Sequence, residues 1–120
     1  MANIMVIDDV LDAGILIKKI LERKGHNVSV FTEEEDAVEH VKGHKVDLAI
    51  LDIKLKKMSG VELLEELRKI DPDLKVIMLT GYPTMETAQE SLKLGASEYL
   101  LKPIDVDELT EKTEQALELG

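Results

Sequence analysis

Apolar runs at residues 3–8, 27–31, 47–51, 75–80 and 98–102 alternate with longer segments whose apolar residues recur at helical spacing. This alternation constrains the fold more than any other feature, because strands separated by helices pair most naturally in parallel, with each helix laid across a sheet face. The spacing predicts five strands and five helices, the helices near 11–24, 33–42, 60–70, 84–94 and 106–118. Leu11, Gly14, Ile17 and Leu21 form an apolar stripe in the first helical segment, and Val61, Leu64 and Leu67 form one in the third. The runs at 47–51 and 75–80 are nearly all apolar, which suits strands covered on both sides. An α/β fold with a doubly wound parallel sheet is expected, in one domain over residues 1–120, and an antiparallel sandwich is disfavoured.

Local punctuation agrees with this reading. Thr32 with Glu35, and Asp105 with Glu108, have the spacing of capped first turns, while Gly25 and Gly95 suit the left-handed turn past a helix end. Pro72 marks the break after the third helix. The chain carries a formal net charge of -10, which argues against this domain gripping nucleic acid or an anionic membrane. It has no Cys, so disulfide, thiol and zinc–thiolate chemistry are excluded. No apolar stretch approaches the ~20 residues that cross a bilayer, and no secretory leader is legible, so a cytoplasmic setting is expected.

The polar residues that follow the apolar runs carry the functional signal. Asp8 and Asp9 follow the first run, Asp52 the third, Thr80 the fourth and Lys102 the fifth. In open α/β sheets the carboxyl ends of parallel strands meet at one edge, so these distant residues can share a pocket. Clustered carboxylates call for a neutralising cation, and hard oxygen donors suit Mg²⁺ beside a phosphate. A metal-assisted phosphate site is the expected chemistry.

Taken together, Asp8–Asp9, Asp52, Gly60, Thr80 and Lys102–Pro103 make the chain resemble the receiver domain of bacterial two-component response regulators over essentially its whole length. The resemblance implies a flavodoxin-like sheet of order 2-1-3-4-5 with five helices. It implies Asp52 as phosphoacceptor from a histidine kinase or phosphotransfer protein, with Mg²⁺ held by Asp9, Asp52 and the backbone carbonyl of Lys54, and Asp8 acting through water. Lys102 and Thr80 would contact the phosphoryl group, Lys102 serving with Asp52 as the catalytic pair, and Tyr99 would turn into the space that Thr80 leaves. The Lys102–Pro103 bond would be cis. The surface so altered would engage a downstream output domain or protein, or a second copy in a phosphorylation-dependent homodimer. Many members carry Pro four residues after the acceptor, where this chain has Lys56, and Lys54 and Tyr82 occupy positions that tune acyl-phosphate lifetime.

Two rival functions compete with a switch that does not turn over substrate. A haloacid-dehalogenase-type phosphatase would carry a second Asp two residues after its nucleophile, where this chain has Lys54. A phosphorylation-independent interaction module would have no use for the acidic, hydroxyl and Lys set. Blander roles also exist: helix capping for Asp8 and Asp9, a turn for Asp52, and packing for Tyr99 with its hydroxyl in water. His26, His40 and His44 are expected on polar surfaces, and the run Glu33–Glu34–Glu35–Asp36 as a solvated helix start.

Overall fold

A computed structural model describes residues 1–118; residues 119 and 120, the end of the expected domain, lie outside the described residues. The chain runs β1 (Asn3–Ile7), α1 (Leu11–Glu22), β2 (Asn27–Phe31), α2 (Glu34–Gly43), β3 (Leu48–Leu51), α3 (Gly60–Ile70), β4 (Lys75–Thr80), α4 (Met85–Lys93), β5 (Glu98–Leu101) and α5 (Val106–Glu118). The strand pairings of the sheet are all parallel, in the order β2-β1-β3-β4-β5. The five strands, five helices and order are those expected.

Period-2 alternation divides the core into two layers. Met5 and Ile7 of β1, Ala49 and Leu51 of β3, and Val76 and Met78 of β4 face Ala37 and Val41 of α2 and Leu63, Leu64 and Leu67 of α3. The intervening Ile4, Val6, Leu48, Ile50, Ile77 and Leu79 face Ile17 and Leu21 of α1 and Leu109 and Ala116 of α5. Strands β1, β3 and β4 are interior and buried on both faces, which accounts for their continuous apolar sequences.

Helix ends show where local sequence decides the boundaries. Ser59 and Glu62 form a reciprocal capping box at the start of α3, worth about 1 kcal/mol. Asp105 caps the first turn of α5 by accepting from the Glu108 N–H at 2.9 Å. Gly25 and Gly95 both adopt positive φ, as expected. The Thr32 cap is not formed: α2 begins at Glu34, so Glu33 occupies the capping position and supplies no side-chain bond.

Two other expectations are corrected. His26 is buried: its Nδ1 accepts from the Ala2 N–H at 3.1 Å and its Nε2 donates to Glu114 at 2.8 Å, joining the chain ahead of β1 to α5. The acidic run is not uniformly solvated, because Glu34 is only 1% exposed. Arg68, at the end of α3, donates to the carbonyls of Leu74, Leu94 (2.8 Å) and Gly95 (2.9 Å), fastening the edge of the sheet opposite the carboxyl ends of the strands.

Candidate phosphate and metal site

Parallel pairing brings the ends of β1, β3, β4 and β5 to one edge, and the side chains that follow them meet there. One carboxylate oxygen from each of Asp8, Asp9 and Asp52 lies within 4.8 Å of the others. Asp8 is 2% exposed and Asp52 7%. The Lys102 ammonium bridges them, 2.7 Å from Asp8 Oδ2 and 3.1 Å from Asp52 Oδ2.

Backbone donors fix the remaining oxygens. Asp8 Oδ1 accepts from the Val10 N–H at 2.9 Å, and Asp52 Oδ1 accepts from the Lys54 N–H at 3.2 Å. Asp8 thus closes an Asx-type turn just ahead of α1, and the capping role considered for the acidic pair is not formed: Val10 holds the capping position and offers no side-chain bond. Asp52 also has the turn geometry considered for it, its side chain bonding backbone two residues on, yet that turn sits inside the carboxylate cluster.

Electrostatics follow from this crowding. Burial pushes the Asp52 carboxyl up from the ordinary range; Lys102 opposes the shift and the Asp8 charge adds to it. Burial alone would lower the Lys102 ammonium, but its bond to Asp8 and the charges of both carboxylates outweigh this and raise it. Lys102 therefore stays protonated.

The residues at the ends of β4 and β5 and in the loops after β3 and β4 are poised differently. Thr80 is fully buried, and its Oγ accepts from the Tyr82 N–H at 3.0 Å, holding the turn after β4. Lys54 Nζ lies 4.3 Å from the centre of the Tyr82 ring, over its face, which joins the loops after β3 and β4 across the mouth of the site. The Tyr99 hydroxyl is bonded to Thr87 of α4, in place of the water contact considered for it. The Lys102–Pro103 peptide is cis.

Gly60 has a role that sequence spacing left unexplained. A Cβ there would lie 2.0 Å from the Asp52 carbonyl oxygen and 2.8 Å from Ile53 Cα. The start of α3 therefore approaches the backbone at Asp52 more closely than any larger residue allows. The Gly60 N–H donates to the Ile53 carbonyl at 2.6 Å, closing the loop. The Ser59 capping box was legible as S-x-x-E, whereas the reach of Arg68 had no local signal.

Comparison with known proteins agrees with this geometry. The model of the response regulator receiver domain family matches residues 4–114. The transcriptional regulatory protein ZraR of Escherichia coli K12 is 35% identical over 115 residues; the match takes in 96% of this chain and 26% of that protein, so the chain spans about a quarter of this relative's length. A CheY-like receiver domain protein from Methanospirillum hungatei superposes with a TM-score of 0.95 at 34% identity, covering 99% of this chain and 95% of that one. The response regulator TrrA of Thermotoga maritima, solved in complex with Mg(2+)-BeF, matches at 34% identity with a TM-score of 0.88, covering 98% of this chain and all of that one. Among the described residues, no helix is long and apolar enough to cross a membrane.

Proposed function

The chain belongs to the response regulator receiver domain family, whose members are phosphorylated on an aspartate in two-component signalling, and we propose that Asp52 is the phosphoacceptor here. The observation that carries this reading is the convergence of Asp8, Asp9 and Asp52 within 4.8 Å, with the Lys102 ammonium on two of them.

Three hard oxygen donors, two of them buried carboxylates that repel when ionised, fit a small divalent cation. Asp9, Asp52 and the Lys54 carbonyl would hold Mg²⁺, with Asp8 acting through water. When bound, the ion supplies charge neutralisation for the carboxylates and the phosphoryl oxygens.

The chain's own groups do the rest. A carboxylate oxygen of Asp52 attacks phosphorus of a phosphohistidine; the O–P bond forms as the P–N bond breaks, the bonding pair stays on that nitrogen, and the donor leaves as neutral imidazole, keeping the proton already on its other ring nitrogen. The Lys54 N–H orients that carboxylate. Lys102 turns from the carboxylates toward a phosphoryl oxygen as a point charge. Thr80 gives up its bond to the Tyr82 N–H and donates its hydroxyl to another phosphoryl oxygen. Tyr99 then responds to the space Thr80 leaves.

In this reading the domain, spanning residues 1–120, is a cytoplasmic switch and not a turnover enzyme. It takes phosphate from a histidine kinase or phosphotransfer protein. It presents an altered face to an output domain, a separate protein or a second copy, without touching nucleic acid itself. The haloacid-dehalogenase alternative is not favoured, since Lys54 stands where its acid/base would be.

Incubation with acetyl phosphate and MgCl₂, followed by intact mass measurement, tests the assignment. One phosphoryl group is expected on the chain and none on Asp52→Asn. Equal labelling of the variant would refute it.

A further inference from the structure

A second acidic cluster, separate from the Asp8–Asp9–Asp52 group, lies at the start of α2 just past the carboxyl end of β2. One carboxylate oxygen each from Glu33, Glu34 and Glu35 lies within 4.8 Å of the others. Acidic side chains at a helix start ordinarily face water and favour the dipole. Glu34 does not: it is buried, and its Oε2 has no hydrogen-bond partner among the described residues. A buried carboxylate oxygen without a donor is costly unless a cation or a proton meets it.

The nearby cations do not fill that role. Lys56 Nζ pairs with Glu33 at 3.1 Å and Lys57 Nζ pairs with Glu35, both at the exposed rim. Lys57 offers Glu34 its backbone N–H, 3.4 Å from Oε1, and its ammonium charge acts on Glu34 from the rim without a hydrogen bond to Oε2. The two ammonium groups pair directly with the outer carboxylates and leave Glu34 Oε2 without a donor among the described residues.

We infer that Glu33, Glu34 and Glu35 form a binding site for a hard divalent cation of the calcium class. Ca²⁺ accepts irregular sets of carboxylate oxygens and waters at 2.3–2.6 Å, whereas Mg²⁺ demands near-octahedral geometry. Three neighbouring carboxylates on one short segment supply such an irregular set. An ion here competes with Lys56 and Lys57 for Glu33 and Glu35. Both lysines belong to the loop between Asp52 and α3, so the cation loosens the tether that holds this loop against α2.

The test is a CaCl₂ titration of the ¹⁵N-labelled chain followed by amide shifts. Amides of residues 33–37 and 56–57 are expected to respond with their own midpoint, separate from any response at residues 8–10 and 52–54. Glu34→Gln is expected to weaken the response near α2 at least tenfold and to leave that at 8–10 and 52–54 unchanged. Lys56→Gln is expected to tighten binding several-fold by removing a competitor. No response near α2, or the same midpoint in Glu34→Gln, would overturn the inference. If Glu34→Gln loses a dispersed spectrum, the rim variant Glu33→Gln/Glu35→Gln decides: loss of the α2 response supports the site and its retention refutes it.

Discussion

The Tyr99 hydroxyl lies 2.7 Å from the Thr87 hydroxyl, so β5 is hydrogen-bonded to the first turn of α4. The same Thr87 donates its backbone N–H to Thr84, the residue capping that helix. A rotation of Tyr99 thus breaks a bond to the structured start of α4. Tyr99→Phe is expected to cost about 1 kcal/mol, the net worth of one partly buried neutral hydrogen bond. It should leave acetyl phosphate labelling of Asp52 unchanged. Urea denaturation and intact mass measure the two effects, and a fall in labelling would argue that Tyr99 acts at the phosphate site itself.

Asp52 is expected to stabilise the fold more when neutralised than when ionised. Its folded pKa is raised, chiefly by burial, so the folded chain keeps this proton at pH values where the unfolded chain has lost it. Between those two values stability falls as pH rises. Asp52→Asn should therefore be more stable than the parent at neutral pH, on the order of 1 kcal/mol. The gain should shrink on acidification through the raised pKa, where the parent becomes protonated as well. A pH series of urea melts checks this, and a gain that grows toward acid would contradict the sign.

Lys102→Ala removes the ammonium shared by two buried carboxylates, so the effect reaches beyond a lost phosphate contact. The expected cost in metal-free buffer is about 2 kcal/mol, below that of a fully buried pair because the Lys102 side chain is 25% exposed. MgCl₂ should restore more stability to the variant than it adds to the parent, because the cation replaces missing charge. Equal Mg²⁺ responses in thermal melts would show that the two positive charges do not share a task.

Gly60→Ala forces a methyl group against the Asp52 carbonyl and Ile53 Cα. The obstruction is backbone, which cannot turn aside as a side chain would. A loss of about 3 kcal/mol is expected in urea denaturation, with slower acetyl phosphate labelling as the loop after Asp52 is displaced. A neutral substitution would mean that α3 starts farther from β3 than described.

The fold was legible because periodicity is a local property of the chain: every strand and helix fell within a few residues of its expected bounds, and interior strands announced themselves through unbroken apolar runs. Asp8, Asp9, Asp52 and Lys102 were legible because parallel topology sends strand ends to one edge. Less could be read where a side chain finds a partner far along the chain. His26 reads as a surface residue until Glu114 and the Ala2 N–H are seen beside it. Thr32 failed as a cap because α2 starts one residue later than its spacing suggested. The burial of Glu34 depends on how the loop carrying Lys56 and Lys57 lies over α2, and nothing in an acidic run reveals that.

The grip of Arg68 on the carbonyls of Leu94 and Gly95 bears on how α4 can move. This helix is clamped where it ends and latched, through Thr87 and Tyr99, where it begins. A rod held in that way swings about the clamp once the latch opens. Under the proposed switch, displacement would be greatest around Met85 and dwindle toward Lys93, a tilt whose reach is set by the length of the lever.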